Sequence, residues 1–292
     1  MSLARTIGII GAGKLAKALL INPVEGFSVK WLYMRPGRKE HELQRLLTDN
    51  ECGAVSLATE LEGLSIPDML FIAVSDNALQ ELSANLADKF GDGLAGRHVV
   101  HFSGINTVDI LDACRRKNAI VHKMHPYQTF FYPEPGIFNG IFWGVQSSGN
   151  QENILDYIAK SGGYIWDMNS FGSTEHIKYH ASAVIASNFT NIVIAYSKKI
   201  LHGLSISSEI IFPIINRTIA NAFKGKDFPL TGPIARGDTI TLQKHLEALE
   251  EDDNLKRFYL DVSEAALSLI EGTSAIDEQK INEIRHLLEK YK

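Results

Sequence analysis

The sequence predicts a two-part fold: an α/β domain built on a parallel sheet over residues 1–170, then an all-α domain over residues 171–292. Two observations predict it. Up to Met168 short apolar runs alternate with amphipathic ones, and one of them, Asp68–Val74 (DMLFIAV), is continuously apolar, as expected of a parallel strand covered on both faces. Beyond Met168 the pattern turns to helical periodicity. A length of 292 residues agrees with two domains at roughly 150 residues each.

In chain order, Thr6–Ile10 is a strand by composition, followed by Gly11-Ala-Gly13-Lys-Leu-Ala16 and an apolar run to Ile21. Val29–Met34 reads as a second strand, Glu40–Asn50 as a helix with Leu43, Leu46 and Leu47 on one face, and Ala54–Leu57 as a short third strand. After the apolar run at 68–74, Asn77–Phe90 carries Leu79, Leu82, Leu86 and Phe90 at helical spacing. A strand at His98–Phe102, a helix at Val108–Arg116 and a strand at Ala119–Met124 follow. Pro126, Pro133 and Pro135 interrupt Pro126–Asn139, which reads as an aromatic-rich loop. Ile141–Gln146 and Tyr164–Asp167 are further strands, separated by a helix near Glu152–Ser161. Thr174 to about Leu201 reads as one long helix with little surface polarity, which suggests burial between layers or subunits. Helices at about Ser207–Phe223, Thr239–Glu250, Asn254–Glu271 and Glu278–Lys290 complete the chain.

Composition excludes several classes. With 45% hydrophobic and 22% charged residues the chain is an ordinary soluble globular protein. A net charge of −5 gives no general footprint for nucleic acid. Cys52 and Cys114 build no disulfide framework and lack CxxC spacing, which implies a reducing, cytoplasmic compartment. The N-terminus carries no signal-peptide pattern, and no stretch approaches the roughly 20 apolar residues of a membrane span.

Strand, then Gly11-x-Gly13-x-x-Ala16, then helix, is a dinucleotide fingerprint in its required context. Gly11 permits the tight turn, Gly13 lets backbone approach a pyrophosphate, and Ala16 allows close helix–sheet packing. Ala12, Lys14 and Leu15 complete the turn, whose helix N-terminus offers free N–H donors to an anion. An acidic residue about 20 positions on would select NAD. This chain has no Asp or Glu between Glu25 and Glu40, and instead places Arg35, Arg38 and Lys39 there, which suits the 2′-phosphate of NADP or a solvated basic turn. Val74-Ser75-Asp76 and Ser103-Gly104 end later strands and face the same crevice, Asp76 serving as a helix cap or a ligand contact. These features together describe a Rossmann-like domain.

The N-terminal half resembles the NADP-binding domains of pyrroline-5-carboxylate reductase, prephenate dehydrogenase and the 6-phosphogluconate dehydrogenase-like enzymes. Lys178-Tyr-His180-Ala-Ser-Ala, Ser187-Asn188-Phe189, Thr231-Gly-Pro-Ile-Ala-Arg-Gly-Asp238 and His245-Leu-x-Ala-Leu249 resemble one bacterial family of that group. That family joins a Rossmann-like domain to a helical C-terminal domain of unknown function. The resemblance spans about Ile7 to Ile270 and implies an NADP-dependent oxidoreductase.

Hydride transfer is the cofactor's chemistry, so the protein must orient a substrate and move a proton. His176 and His180 share a helix face, a spacing that would also suit a metal-dependent hydrolase, although no third ligand is fixed. Lys178 lies where the resemblance puts a catalytic lysine, after Gly172 and before Asn188, and a buried lysine acts as acid or base once its pKa falls. The chain departs from the 6-phosphogluconate dehydrogenase-like group in having His180 and Asn188 instead of its closely spaced Lys and Asn. His125-Pro126 resembles a His-Pro of prephenate dehydrogenases, Arg236 suits a carboxylate or phosphate clamp, and Asp238 is most simply an N-cap. The stripe Val184, Ile185, Phe189, Ile192, Val193 and Tyr196 suits core or dimer contact. The expectation is an oxidoreductase that exchanges hydride between NADP and a small polar, carboxylate-bearing metabolite, a homodimer through its helical domain, without resident metal, nucleic acid or membrane. The alternative is an NADP-binding regulatory protein without turnover.

Overall fold

Arg5–Ile10 (β1) lies in the interior of the sheet because its apolar face is covered on both sides: Ile7, Ile9 and Ile10 are buried. The computed structural model describes residues 4–37, 39–50, 52, 54–224, 229–273 and 276–292, so Arg38 lies outside the described residues. The elements that follow are α1 (Lys14–Ile21), β2 (Phe27–Tyr33), α2 (Lys39–Asp49), β3 (Ser56–Ala58), β4 (Met69–Ile72), α3 (Asp76–Phe90) and β5 (His98–His101). Then come α4 (Asp112–Arg115), β6 (Ile120–Pro126), β7 (Phe142–Ser147), α5 (Glu152–Lys160), β8 (Tyr164–Asp167) and α6 (Ser173–Val184). They build an eight-stranded sheet in the order β3-β2-β1-β4-β5-β6-β7-β8. Pairing is parallel from β3 to β6, which gives the expected Rossmann-like half.

The sheet is not parallel throughout. β7 runs antiparallel to β6, with His125 opposite Gly144, and β8 is parallel to β7. The reason is the segment between them. A parallel return needs a crossover, usually helical, whereas the proline-interrupted aromatic loop doubles straight back. That loop is fastened to the start of the chain: Asn22 Nδ2 donates to the Glu134 carbonyl at 3.0 Å, and Gly136 N donates to Asn22 Oδ1 at 2.6 Å.

The chain divides into two compact units, 1–189 and 190–292, so α6 goes with the sheet although the strands end at Asp167. The long helix expected over 174–201 is interrupted. A π-helical turn at Ile185–Phe189 separates α6 from α7 (Thr190–Gly203). Nor is its apolar stripe core: Ile185, Phe189, Ile192 and Val193 are all exposed, and Tyr196 stacks on Phe258 at 4.1 Å.

The second unit continues with α8 (Phe212–Ala222), α9 (Pro233–Arg236), α10 (Thr239–Ala248), α11 (Asp253–Ile270) and α12 (Glu278–Lys290). Leu242, Leu246, Leu260, Leu267, Ile281 and Ile284 form its core. Asp238, Asp252 and Asp277 cap α10, α11 and α12 by accepting from backbone N–H groups of Thr241, Leu255 and Lys280. Among the described residues no helix is long and apolar enough to cross a membrane.

Candidate functional site

At the C-terminal end of β1 the chain narrows to glycine for a steric reason. Gly11 has φ +124°, and a Cβ there would overlap the Ala73 carbonyl oxygen on the neighbouring segment. Gly13 is different. A Cβ on it would meet only the Ala73 oxygen, at 4.0 Å, so its outer side is open space. Gly13 is also the N-cap of α1 and supplies no side chain, which leaves the first N–H groups of that helix without a capping partner. Ala16 is buried, and Ala12 and Leu15 pack on the core. Lys14 is exposed, its ammonium 3.8 Å from the centre of the Phe131 ring in the aromatic loop.

Other predicted contacts lie at strand ends on the same edge. Arg35 follows β2 and is exposed. Val74 packs on the core and Ser75 is the N-cap of α3 without a side-chain bond, so Asp76 stands inside the helix rather than capping it. Ser103 and Gly104 follow β5 and are buried, Ser103 Oγ accepting from Asn106 N at 3.1 Å.

Beside Gly104 the structure gathers five basic side chains from three segments. β5 supplies His101, β6 supplies Lys123 and His125, and α6 supplies His176 and His180. Strand alternation puts Lys123 and His125 on one face, and helical spacing puts His176 and His180 on the face turned to it. Lys123 is 0% exposed. Its Nζ donates to the Gly104 carbonyl at 2.7 Å and lies 2.9 Å from His176 Nδ1. Burial pulls the Lys123 pKa down to about 7, with Asp76 opposing the shift. The imidazoles are held neutral the same way: burial, helped by the charge of Lys123, lowers His101 and His125 to about 3 and His176 to about 4. A Cβ on Gly104 would overlap the His180 ring and stand 3.0 Å from His125 Nε2, so only glycine lets these two rings approach the loop.

Tyr179 Oη lies 3.2 Å from His125 Nδ1, and in the tautomer where the phenol donates, the proton of His125 is on Nε2. Burial and the neighbouring Tyr127 raise the pKa of Tyr179, so the phenol keeps its proton. Ser103 N donates to His101 Nδ1 at 3.2 Å, which likewise places a proton on Nε2. Among the described residues, His101 Nε2, His176 Nε2 and His180 Nδ1 are buried and without a hydrogen-bond partner.

Lys178 is not the buried lysine the sequence led one to expect. It stands two residues, about 200° of helix, from His176 and is exposed along an aromatic groove with Trp166 and Phe142. Asn188 sits in the π-helical turn, exposed, accepting from Ser187 Oγ at 2.8 Å. Arg236 belongs to the second unit, exposed at the end of α9, its carbonyl accepting from Lys280 at 3.4 Å. Sequence reasoning missed Lys123, Tyr179 and His101. The available signal was phase: Lys123 and His125 alternate correctly on one strand, with a histidine pair four apart on a later helix. Among the described residues no three potential ligands gather as a metal site.

Residues 2–126 match the family described as a Rossmann-like domain, and residues 141–266 match a domain of unknown function (DUF2520). No curated protein matches the chain. Among solved structures the chain is similar to a proposed NADP oxidoreductase from Bacteroides fragilis, at 23% identity over 90% of this chain and 97% of that one, TM-score 0.73. It is similar also to an imine reductase from Streptomyces aurantiacus (13%, 96% and 99%, TM-score 0.60). A 1-pyrroline-5-carboxylate reductase from Streptococcus pyogenes shares the fold at 16% identity (92% and 100%, TM-score 0.57). The chain thus carries a Rossmann-like parallel-sheet region at residues 2–126 and a DUF2520 match over residues 141–266, which starts at β7 and is helical after β8.

Proposed function

We propose that the protein is an NADP-dependent oxidoreductase acting on a carboxylate-bearing carbonyl or imine. One observation carries the reading: an open glycine cradle with an uncapped helix N-terminus and a buried basic cluster lie at strand ends on one edge of one sheet. The residues fit a dinucleotide. The space beside Gly13 admits a pyrophosphate against free N–H groups, and Arg35 stands where NAD binders carry an acid. The names of the structurally similar proteins support the same reaction class.

The cofactor, when bound, supplies or accepts the hydride. The chain's own residues then hold the proton. His125 Nε2–H faces the Gly104 side and is its donor toward a substrate oxygen or nitrogen, with Tyr179 able to refill the ring through Nδ1. Lys123, in its protonated form, gives that end of the crevice a positive potential that favours a carboxylate. We assign residues 171–292 to substrate binding and dimerisation, an assignment supported by the exposed Ile192, Val193 and Ile200 of α7 and Phe212 and Ile214 of α8. The compartment we propose is the cytoplasm.

Calorimetry tests the cofactor: NADPH should bind more tightly than NADH, and equal affinities would remove the role given to Arg35. A panel of 2-oxo acids and cyclic imines tests turnover. Tight NADPH binding with no hydride exchange across that panel would leave a nucleotide-binding regulatory protein instead.

A further inference from the structure

Beyond the basic cluster, on the β7–β8 side, the sheet presents an exposed aromatic face. Because β7 reverses, its first residue, Phe142, arrives beside the last residues of β6, and Tyr127 N donates to the Phe142 carbonyl at 2.8 Å. Phe142, Tyr164 and Trp166 are on one face by alternation and register, and are 51%, 58% and 53% exposed. Large apolar side chains at that exposure, contiguous rather than scattered, mark a site rather than ordinary surface. The other wall is α6. Between the two runs a groove of about 670 Å³, within the usual range for small-molecule sites, lined by Tyr127, Phe142, Trp166, Phe171, Lys178 and Tyr179 among others.

The groove is continuous with the proposed proton-donating pair. Tyr179 lines it and bonds His125 at 3.2 Å, and its ring lies 5.1 Å from that of Tyr127. Strand order places the cofactor cradle at β1, the strand-end loops at β4 and β5, the imidazole at β6 and the groove at β7 and β8. A substrate with its reactive carbon at His125 and its carboxylate toward Lys123 has the atoms on its other side over β7 and β8.

We propose that this groove holds an apolar ring carried by the substrate, so that the substrate is a carbonyl or imine compound with a carboxylate at one end and an aromatic body at the other. The proposal rests on the oxidoreductase reading and revises its small polar substrate. Flat aromatic walls reward a ring by offset or edge contact, while the polar lining residues Glu175, Lys178 and Ser182 all stand on the α6 wall. Lys178, exposed on the helix wall, bounds the site without entering the proton path.

The test compares 2-oxobutyrate with 2-oxo-4-phenylbutyrate on the full chain, by calorimetry and by iodide quenching of tryptophan fluorescence. Trp31 and Trp143 are 2% and 0% exposed, so iodide reports Trp166. The phenyl compound should bind at least about tenfold more tightly and shield Trp166 from iodide. Trp166→Ala and Phe142→Ala should each collapse that preference while NADPH affinity stays unchanged. Equal affinity for the two acids, or a preference that survives both substitutions, overturns the proposal. So does a shift from dimer to monomer in sedimentation with the preference retained, since a second copy would then be what covers the groove. NADPH titration of the unaltered protein is read separately: no binding there removes the oxidoreductase reading, while the iodide result still decides the groove.

Discussion

Around Gly11–Ala16 the crevice is made of backbone and empty space, whereas around β5 and β6 it is made of titratable side chains pressed into the interior. The first region works because side chains are missing: a Cβ at Gly11 would overlap a carbonyl, and one at Gly13 would fill the open side. It has no titratable side chain at those two positions, so its N–H donors do not change with pH. The second region works because side chains crowd: Lys123, His101 and His176 are 0% exposed and bond mainly to backbone or to each other. Binding an anion by backbone costs little stability. Holding a basic cluster dry makes stability depend on acid.

The contrast can be broken at its chemical end first. His125→Asn should lower turnover by roughly 10²–10⁴-fold, the range for a lost acid–base group, with NADPH affinity unchanged in calorimetry. A similar loss of NADPH binding would mean that the two regions are one site. Gly104→Ala should cost less. The added Cβ overlaps the His180 ring and displaces it by about an ångström, for roughly tenfold to 10²-fold in turnover. Steady-state kinetics on the Gly104 variant would show it as a fall in kcat with cofactor KM preserved.

Acid should then separate the regions thermodynamically. His101 and His125 have folded pKa values near 3 and His176 near 4, below the value of 6.5 for the exposed group. Above pH 6.5 they are neutral in both states and cost nothing. As pH falls from 6.5 toward 3 the unfolded chain binds protons that the folded chain refuses, and stability drops. The loss is on the order of 1 to 2 kcal/mol per imidazole by pH 5. Denaturant titrations at pH 7 and 5 measure this, and equal stability at both would show that the imidazoles are not held neutral. The smallest effect belongs to Lys178→Met, expected within about twofold of the unaltered protein in NADPH affinity and oxo-acid turnover. A large loss would return Lys178 to the proton path and displace His125 from it.

What could be read from the sequence follows the same division. A glycine turn has a fixed spacing, so Gly11, Gly13 and Ala16 are visible as a motif, and the continuous apolar run at 68–74 marks a covered parallel strand. Caps are equally local, and Asp238 does accept from Thr241 N at 3.0 Å. The basic cluster is not local. His101, Lys123 and His176 come together only when β5, β6 and α6 are laid side by side, and within Val121–Met124 a lysine reads as a strand-edge residue. Lys178 looked favourable because the resemblance fixed its position but not its helical phase. The reversal at β7 was hidden for a further reason: alternation gives a strand its faces but not its direction.

The strand order carries a consequence for how the chain can fold. β1 lies inside the sheet, and every later strand joins an edge that already exists, β2 and β3 on one side and β4 to β8 in turn on the other. A chain emerging from its N-terminus never has to open a formed sheet to insert a strand. The glycine cradle can therefore close early, while the imidazole cluster waits for β6 and α6. The residues of the glycine cradle leave the ribosome before β6 and α6, which carry the imidazoles.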